Sequence, residues 1–102
     1  MNEEEAKVFI VQKEYHPYEY TWPEVLGLTR DTATAKRLVA QDIHAERINA
    51  ERLNYRNLPP AQTVEEILAG LVFEDDDAKD LSIKAPPWMG AEYYTMESYP
   101  LL

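Results

Sequence analysis

RDTATAKRLVAQDIHAERINAERLNYRN, residues Arg30 to Asn57, is the stretch on which the fold turns. It holds no glycine or proline and is rich in alanine, leucine, arginine and glutamate, residues that lose little freedom in a helix. Asp31 is the expected N-cap, since its carboxylate can accept from the unpaired N–H groups of a first turn. At 100° per residue Ala35, Leu38, Val39, Ile43, Ala50 and Leu53 fall on one face. A helix from about 32 to about 56 is therefore predicted, with that face turned to a sheet. Within it AERIN (45–49) is echoed by AERLN (50–54), but five residues turn a helix by about 140°, so Ile48 points nearly opposite Leu53. Ile48 is either simply exposed or part of a second contact surface, such as a homodimer interface.

Upstream, KVFIVQ (Lys7 to Gln12) is β-branched and aromatic, short, and apolar on both faces, as a central strand would be. EYHPYEYTW (Glu14 to Trp22) follows, with Tyr18, Tyr20 and Trp22 alternating against Glu19 and Thr21. His16-Pro17 supplies a turn, and strands one and two form an antiparallel hairpin. Proline cannot donate to a ladder, so Pro23 marks an edge, a bulge or a break, and EVLGLT becomes the better-paired half of strand two.

Downstream, Pro59-Pro60 ends the long helix. TVEEILAGL carries a capping box, with Thr63 as N-cap and Glu66 three residues on, then Val64, Ile67 and Leu68 as its apolar set and Gly70 as its stop. Leu71 to Phe73 reads as helix or strand, and the acidic run that follows as a solvated loop. AEYYTMESYPLL alternates, placing Tyr94 and Met96 on one face and Tyr93, Thr95 and Glu97 on the other, as a returning strand does. The expectation is one α+β domain, 1–102, in the order β-β-α-α-β, with helices packed on one face of a small antiparallel sheet. Its parts are a β-hairpin (1–30), a long helix (31–57), a short helix (63–70), an acidic loop (74–80) and a C-terminal strand (91–98).

GLTRDTATAKRLV, leading from a hairpin into a helix with an early alanine at Ala35, and the closing YTMESYPLL together resemble a loose group of small bacteriophage and bacterial proteins of unknown function. The resemblance covers about the first forty residues and the last ten, while Gln41 to Gly90 departs from it as an insertion would. It implies a fold and a phage origin, and brings no catalytic residues.

The chain has 102 residues, 45% of them hydrophobic and 11% aromatic, which suits one folded domain rather than a disordered chain. There is no cysteine, which removes disulfides, thiolate nucleophiles and Cys-type zinc sites and fits a reducing cytoplasm. The acidic start MNEEEAKVFI is unlike a signal peptide, and no stretch approaches the ~20 apolar residues of a membrane span. A soluble, unprocessed, cytoplasmic protein is expected, in the host cytoplasm if phage-encoded. The net charge of −9 divides as −3 over residues 1–20, +1 over 21–57 and −7 over 58–102. An anion of this kind is a poor general nucleic-acid binder, so protein partners, basic ones included, are expected.

The search for chemistry finds little. His44 has Ala40 and Ile48 four residues away on either side, so it belongs to no metal-binding pair, and His16 is a turn residue. Counting a calcium loop from Asp75 puts Asp80 where the sharp turn needs glycine and Pro86 where a bidentate glutamate belongs. Ser82 and Ser98 lie outside any Gly-x-Ser-x-Gly, and Gly27, Gly70 and Gly90 form no phosphate-cradling loop. No catalytic residue, metal or cofactor is assigned, and the chain is read as a non-enzyme. The leading expectation is a protein-binding module, a phage accessory or anti-defence inhibitor. It would act through Tyr18, Tyr20 and Trp22 and through Glu74, Asp75, Asp76, Asp77 and Asp80. The alternatives are a structural or virion-associated homo-oligomer using Ile48, Leu101 and Leu102, and a binder of a nucleotide signal using the aromatics with Arg47, Arg52 and Arg56.

Overall fold

In the computed structural model, which describes residues 7–15, 23–76 and 80–100, the chain runs β1 (Lys7–Tyr15), β2 (Glu24–Thr29), α1 (Thr32–Arg52), α2 (Val64–Gly70), β3 (Glu74–Asp76), β4 (Asp80–Lys84) and β5 (Ala91–Pro100). All strand pairs are antiparallel, and the sheet order is β2-β1-β5-β4-β3. This is an α+β fold with its helices against one face of the sheet. β1 lies inside the sheet, flanked by β2 and β5, as its two apolar faces require. Pro23 stands just outside β2, an edge strand where a missing donor costs no ladder bond.

Alternation sorts the side chains onto two faces. Val11 stands opposite Met96 and Lys13 opposite Tyr94 across β1 and β5, while Leu81 and Ile83 of β4 stand opposite Met96 and Tyr94. These residues face α1 and α2, whose Ala35, Val39, Ala40, Ile43 and Ile67 complete the core. Between Val11 and Gln12 the β1–β2 register skips Leu26. The resulting bulge lets Leu26 pack on the core while Val25 and Leu28 both remain exposed. Beside it, a Cβ on Gly27 would lie 3.1 Å from Leu38 Cδ1, so glycine marks a close approach of α1 to β2.

The caps begin the helices where the sequence places them. Asp31 Oδ1 accepts from the Thr34 N–H at 2.6 Å, and its Oδ2 accepts from the Thr34 hydroxyl at 3.0 Å. Thr63 and Glu66 form the reciprocal capping box, at 3.1 and 2.9 Å. The end of α1 corrects the expectation. The helix stops at Arg52, because Asn54 is left-handed (φ 60°) and the Asn54 and Tyr55 N–H groups turn back to the Glu51 and Ala50 carbonyls. That is a Schellman stop with asparagine in place of glycine. Leu53 is consequently not in the core stripe but 56% exposed. Gly70 ends α2 without a left-handed turn, the cap Leu71 being extended.

Two further corrections concern the sheet. Among the described residues it has five strands, not three. The segment expected as an acidic loop (74–80) instead pairs at its ends, Glu74 with Ser82, Asp75 with Leu81 and Asp76 with Asp80. β4 places Leu81 and Ile83 against the core, and so presents a fixed edge on which even acidic residues of low β-propensity can pair. The final strand also runs two residues past its expected end at 98.

Candidate functional site

The residues expected to form one acidic and aromatic surface are described only in part. Tyr18, Tyr20, Trp22, Asp77, Leu101 and Leu102 lie outside the described residues, as does the His16-Pro17 turn. The backbones of Asp75, Asp76 and Asp80 belong to β3 and β4, at one edge of the sheet. β2 forms the other edge. Glu74 is exposed, and Ile48 is 48% exposed on α1. His44 is half-buried on α1.

Three features emerge that sequence reasoning missed. The first is the face of the sheet that carries no helix among the described residues. Ile10 stands between Leu28 and Glu97, Gln12 between Val25 and Thr95, and Val8 opposite Tyr99. Leu28 is 64% exposed, Val25 56%, and Tyr93 and Tyr99 are exposed as well. Two carboxylates sit among them. Glu14 accepts from the Thr95 hydroxyl at 2.9 Å and Glu97 from the Tyr99 hydroxyl at 2.7 Å. The result is an apolar field with anionic points, built from rigid strands. The alternation of Tyr93, Thr95 and Glu97 against Tyr94 and Met96 was the available signal.

The second feature is buried charge on the covered face. Lys13, 2% exposed, contacts Asp42 at 2.9 Å and, more closely still, Glu46. These carboxylates are one turn apart on α1. The Tyr94 hydroxyl, also fully buried, donates to Asp42 Oδ2 at 2.7 Å. Burial by itself would pull the Lys13 ammonium down, but its hydrogen bonds and charge attraction to Glu46 and Asp42 outweigh that and hold its pKa above the usual lysine value. Burial, reinforced by the Asp42 carboxylate, pushes the Tyr94 hydroxyl well above the tyrosine range. Both donors therefore keep their protons and spend them on α1, so the cluster fastens α1 to β1 and β5. Its sequence signal was Lys13 in register with Phe9 and Val11, opposite two carboxylates four residues apart.

The third feature is a groove of about 1310 Å³ between the α1–α2 connection and the β4–β5 connection. Its walls include Pro59, Pro60, Pro86 and Pro87, with Trp88 beside Ile43 and Ile67. Arg47 fixes one wall, its guanidinium donating twice to the Pro59 carbonyl, at 2.9 and 2.6 Å, and once to Glu51 at 3.1 Å. Arg56 and Lys84 also contribute to the lining, whereas Arg52 does not. The three arginines thus separate into a brace, a groove residue and an exposed residue at the end of α1.

Among the described residues no three His, Asp or Glu side chains gather as a metal site would require, and no helix is long and apolar enough to cross a membrane. Compared with protein-family models, with curated proteins and with solved structures, the chain matches none.

Proposed function

We propose that the protein is a non-enzymatic module that binds another protein through the open face of its sheet. The observation that carries this reading is the field of Ile10, Val25, Leu28, Tyr93 and Tyr99 on strands whose opposite face packs on the core. Large apolar and tyrosine side chains held on a rigid backbone lose little entropy on docking, and such patches are typical of interaction sites. Glu14 and Glu97 within the field, on a chain of charge −9, suit a partner with an apolar centre and a basic rim. They also disfavour a second copy, whose own Glu14 and Glu97 would have to approach them. On this reading the partner is a basic host protein, such as a nuclease or other defence protein, met by a phage accessory protein in the host cytoplasm. The resemblance of GLTRDTATAKRLV and YTMESYPLL to small phage proteins supports that setting.

The test places a photo-crosslinking residue at Leu28, and at Ile48 as a control on the helix side, in host lysate. A protein captured from Leu28 alone is identified, purified and titrated against the wild type, Leu28→Glu and Ile48→Glu. The expected outcome is at least a tenfold loss of affinity for Leu28→Glu and none for Ile48→Glu. Capture indistinguishable from the control, or affinity unchanged by Leu28→Glu, overturns the reading.

A further inference from the structure

The two edges of the sheet are unlike, and the protein-binding reading uses neither. β3 closes one edge with three acidic residues, Glu74 to Asp76, a short charged strand of the kind that discourages further pairing. β2 forms the other with six residues, EVLGLT, and no proline or lysine among them. Among the described residues nothing pairs with its outer side, so a row of backbone N–H and C=O groups is left to accept another strand. Val25 and Leu28 stand exposed beside that row.

The bulge decides which strand fits. Register against β1 turns Val25 and Leu28 outward, opposite Gln12 and Ile10, and Glu24, Gly27 and Thr29 inward, opposite Lys13, Val11 and Phe9, with Leu26 packed on the core. Directly opposed residues of neighbouring strands share a face, so an antiparallel partner must present this order of faces in reverse. β2 itself does so. Against a second β2, with a twofold axis between Leu26 and Gly27, Val25 meets Leu28, Glu24 meets Thr29 and Leu26 meets Gly27, outward with outward and inward with inward. Each copy brings its extra residue at the same level, so the new ladder needs no gap of its own.

Charge and the helix layer fit the same axis. Alternation past the buried Thr29 turns the exposed Arg30 outward, and the register sets it opposite Pro23 of a second copy, whose neighbour on β1 is Glu14. Two strand spacings, about 10 Å, separate Arg30 from that Glu14, within the joint reach of the two side chains. Arg30 makes no ion pair with a described carboxylate, nor Glu14 with a described cation. On the covered face α1 lies over β1 and β2 together, so the axis would set two α1 helices about 10 Å apart, a distance at which helices pack. The flank of α1 turned to the axis is Thr34, Leu38, Gln41 and Ala45, uncharged throughout and spaced by four, three and four residues. Leu38, standing over Gly27, fixes it as the β2 side, while the opposite flank carries Arg37, paired with Glu65 of α2. Stacking two open faces would press Glu14 and Glu97 on their counterparts, but edge to edge the two Glu14 residues stand about 20 Å apart along the strands. We propose that the chain forms a symmetric dimer through β2, one antiparallel sheet running across the axis with the two open faces side by side.

The experiment measures the mass of the full chain by sedimentation equilibrium from low micromolar to near-millimolar concentration. The samples are the wild type, Arg30→Glu, Glu14→Arg and an equal mixture of the two variants. One strand edge and one helix flank make a small interface, so a dimer with a micromolar dissociation constant is expected. Each variant alone brings like charges together and should dimerise at least tenfold more weakly. In the mixture every exchanged residue meets its opposite, and the dimer should return. Val25→Lys puts a charge on the exposed edge and should be monomeric by a route that does not depend on the ion pair. Circular dichroism checks that each variant is folded. A wild type that stays monomeric at every concentration overturns the proposal. So does a dimer that survives Val25→Lys, one that neither charge variant weakens, or one that both weaken and their mixture does not restore. The mass of the purified chain involves no host protein, so this proposal and the protein-binding reading fail independently.

Discussion

The two faces of β1 and β2 are built from alternate residues of the same strands, yet they hold opposite contents. The covered face buries a lysine, with Lys13 at 2% exposure, while the open face displays a leucine, with Leu28 at 64%. Hydrophobicity alone would exchange them. What decides is the partner each residue meets. Lys13 points at an α1 that carries Asp42 and Glu46 one turn apart, so its ammonium exchanges water for two carboxylates. Leu28 points away from α1 because the bulge at Leu26 resets the register of β2. The lesson is that a strand's inward face is identified by what the facing helix offers, and that an apolar outward face is then the unexplained feature, calling for a partner.

The largest effect should come from cutting matched side chains out of the two faces. Met96 is fully buried opposite Val11 and Leu81, so Met96→Ala should lower stability by about 2–5 kcal/mol through lost burial and a cavity. Leu28→Ala, one face over, should change it by less than about 0.5 kcal/mol. Urea denaturation of both variants measures the contrast. Similar losses for the two would show that something in the protein itself already covers the open face.

Much of this division was legible in the sequence. KVFIVQ, apolar on both faces, announced an interior strand, and Asp31, Thr63 and Glu66 marked helix starts because a cap is a local device whose parts lie within four residues. What could not be read depended on distant partners. Asn54 ends α1 through hydrogen bonds that glycine usually supports, and nothing in AERLNYRN outweighs its strong helix formers until the left-handed residue is seen. Glu74 to Asp76 forms a strand only because Leu81 and Ile83 anchor the neighbour it pairs with, an alternation visible in DLSIK but masked by the acids before it. The open face was half legible. Tyr93 and Glu97 were assigned to one side of the last strand, but that no helix would cover that side depended on topology. The groove was not legible, since Arg56 and Trp88 come to line it only after the chain has returned from the sheet.

Next in size is the buried lysine. Lys13→Met removes the cation and leaves Asp42 and Glu46 facing apolar surface, with a loss of about 3 kcal/mol. That is the low end for a broken buried pair, because both carboxylates keep some contact with water. Adding Asp42→Asn and Glu46→Gln should recover part of it, since the stranded charges are then gone. If Lys13→Met alone were neutral, the lysine would not be what fastens α1 to the sheet. Titration should show the same link with a definite sign. The folded-state pKa of Lys13 lies above its ordinary 10.5, so its contribution is fully present below pH 10.5 and is lost as pH rises through the higher folded value. Wild-type stability should therefore fall on the alkaline side more steeply than that of the triple variant.

The smallest effect sharpens the boundary between the faces, at a point where α1 passes close to β2. A Cβ at Gly27 would stand 3.1 Å from the Leu38 Cδ1 atom, a contact that needs a few tenths of an ångström of give. Leu38 is only half-buried and presents the end of a flexible side chain. It can yield to one methyl, and alanine lowers the entropy of the unfolded chain relative to glycine. Gly27→Ala should thus be nearly neutral, within about 0.5 kcal/mol. Valine adds two further methyl groups on the covered side, where Leu38 already stands, and overpacking of this kind costs about 1–3 kcal/mol. The β-propensity of valine acts in the other direction, by less than ~1 kcal/mol. Thermal or urea midpoints for the two variants separate these effects. If Gly27→Val were more stable than Gly27→Ala, α1 would not approach β2 this closely, and the covered face would end at β1.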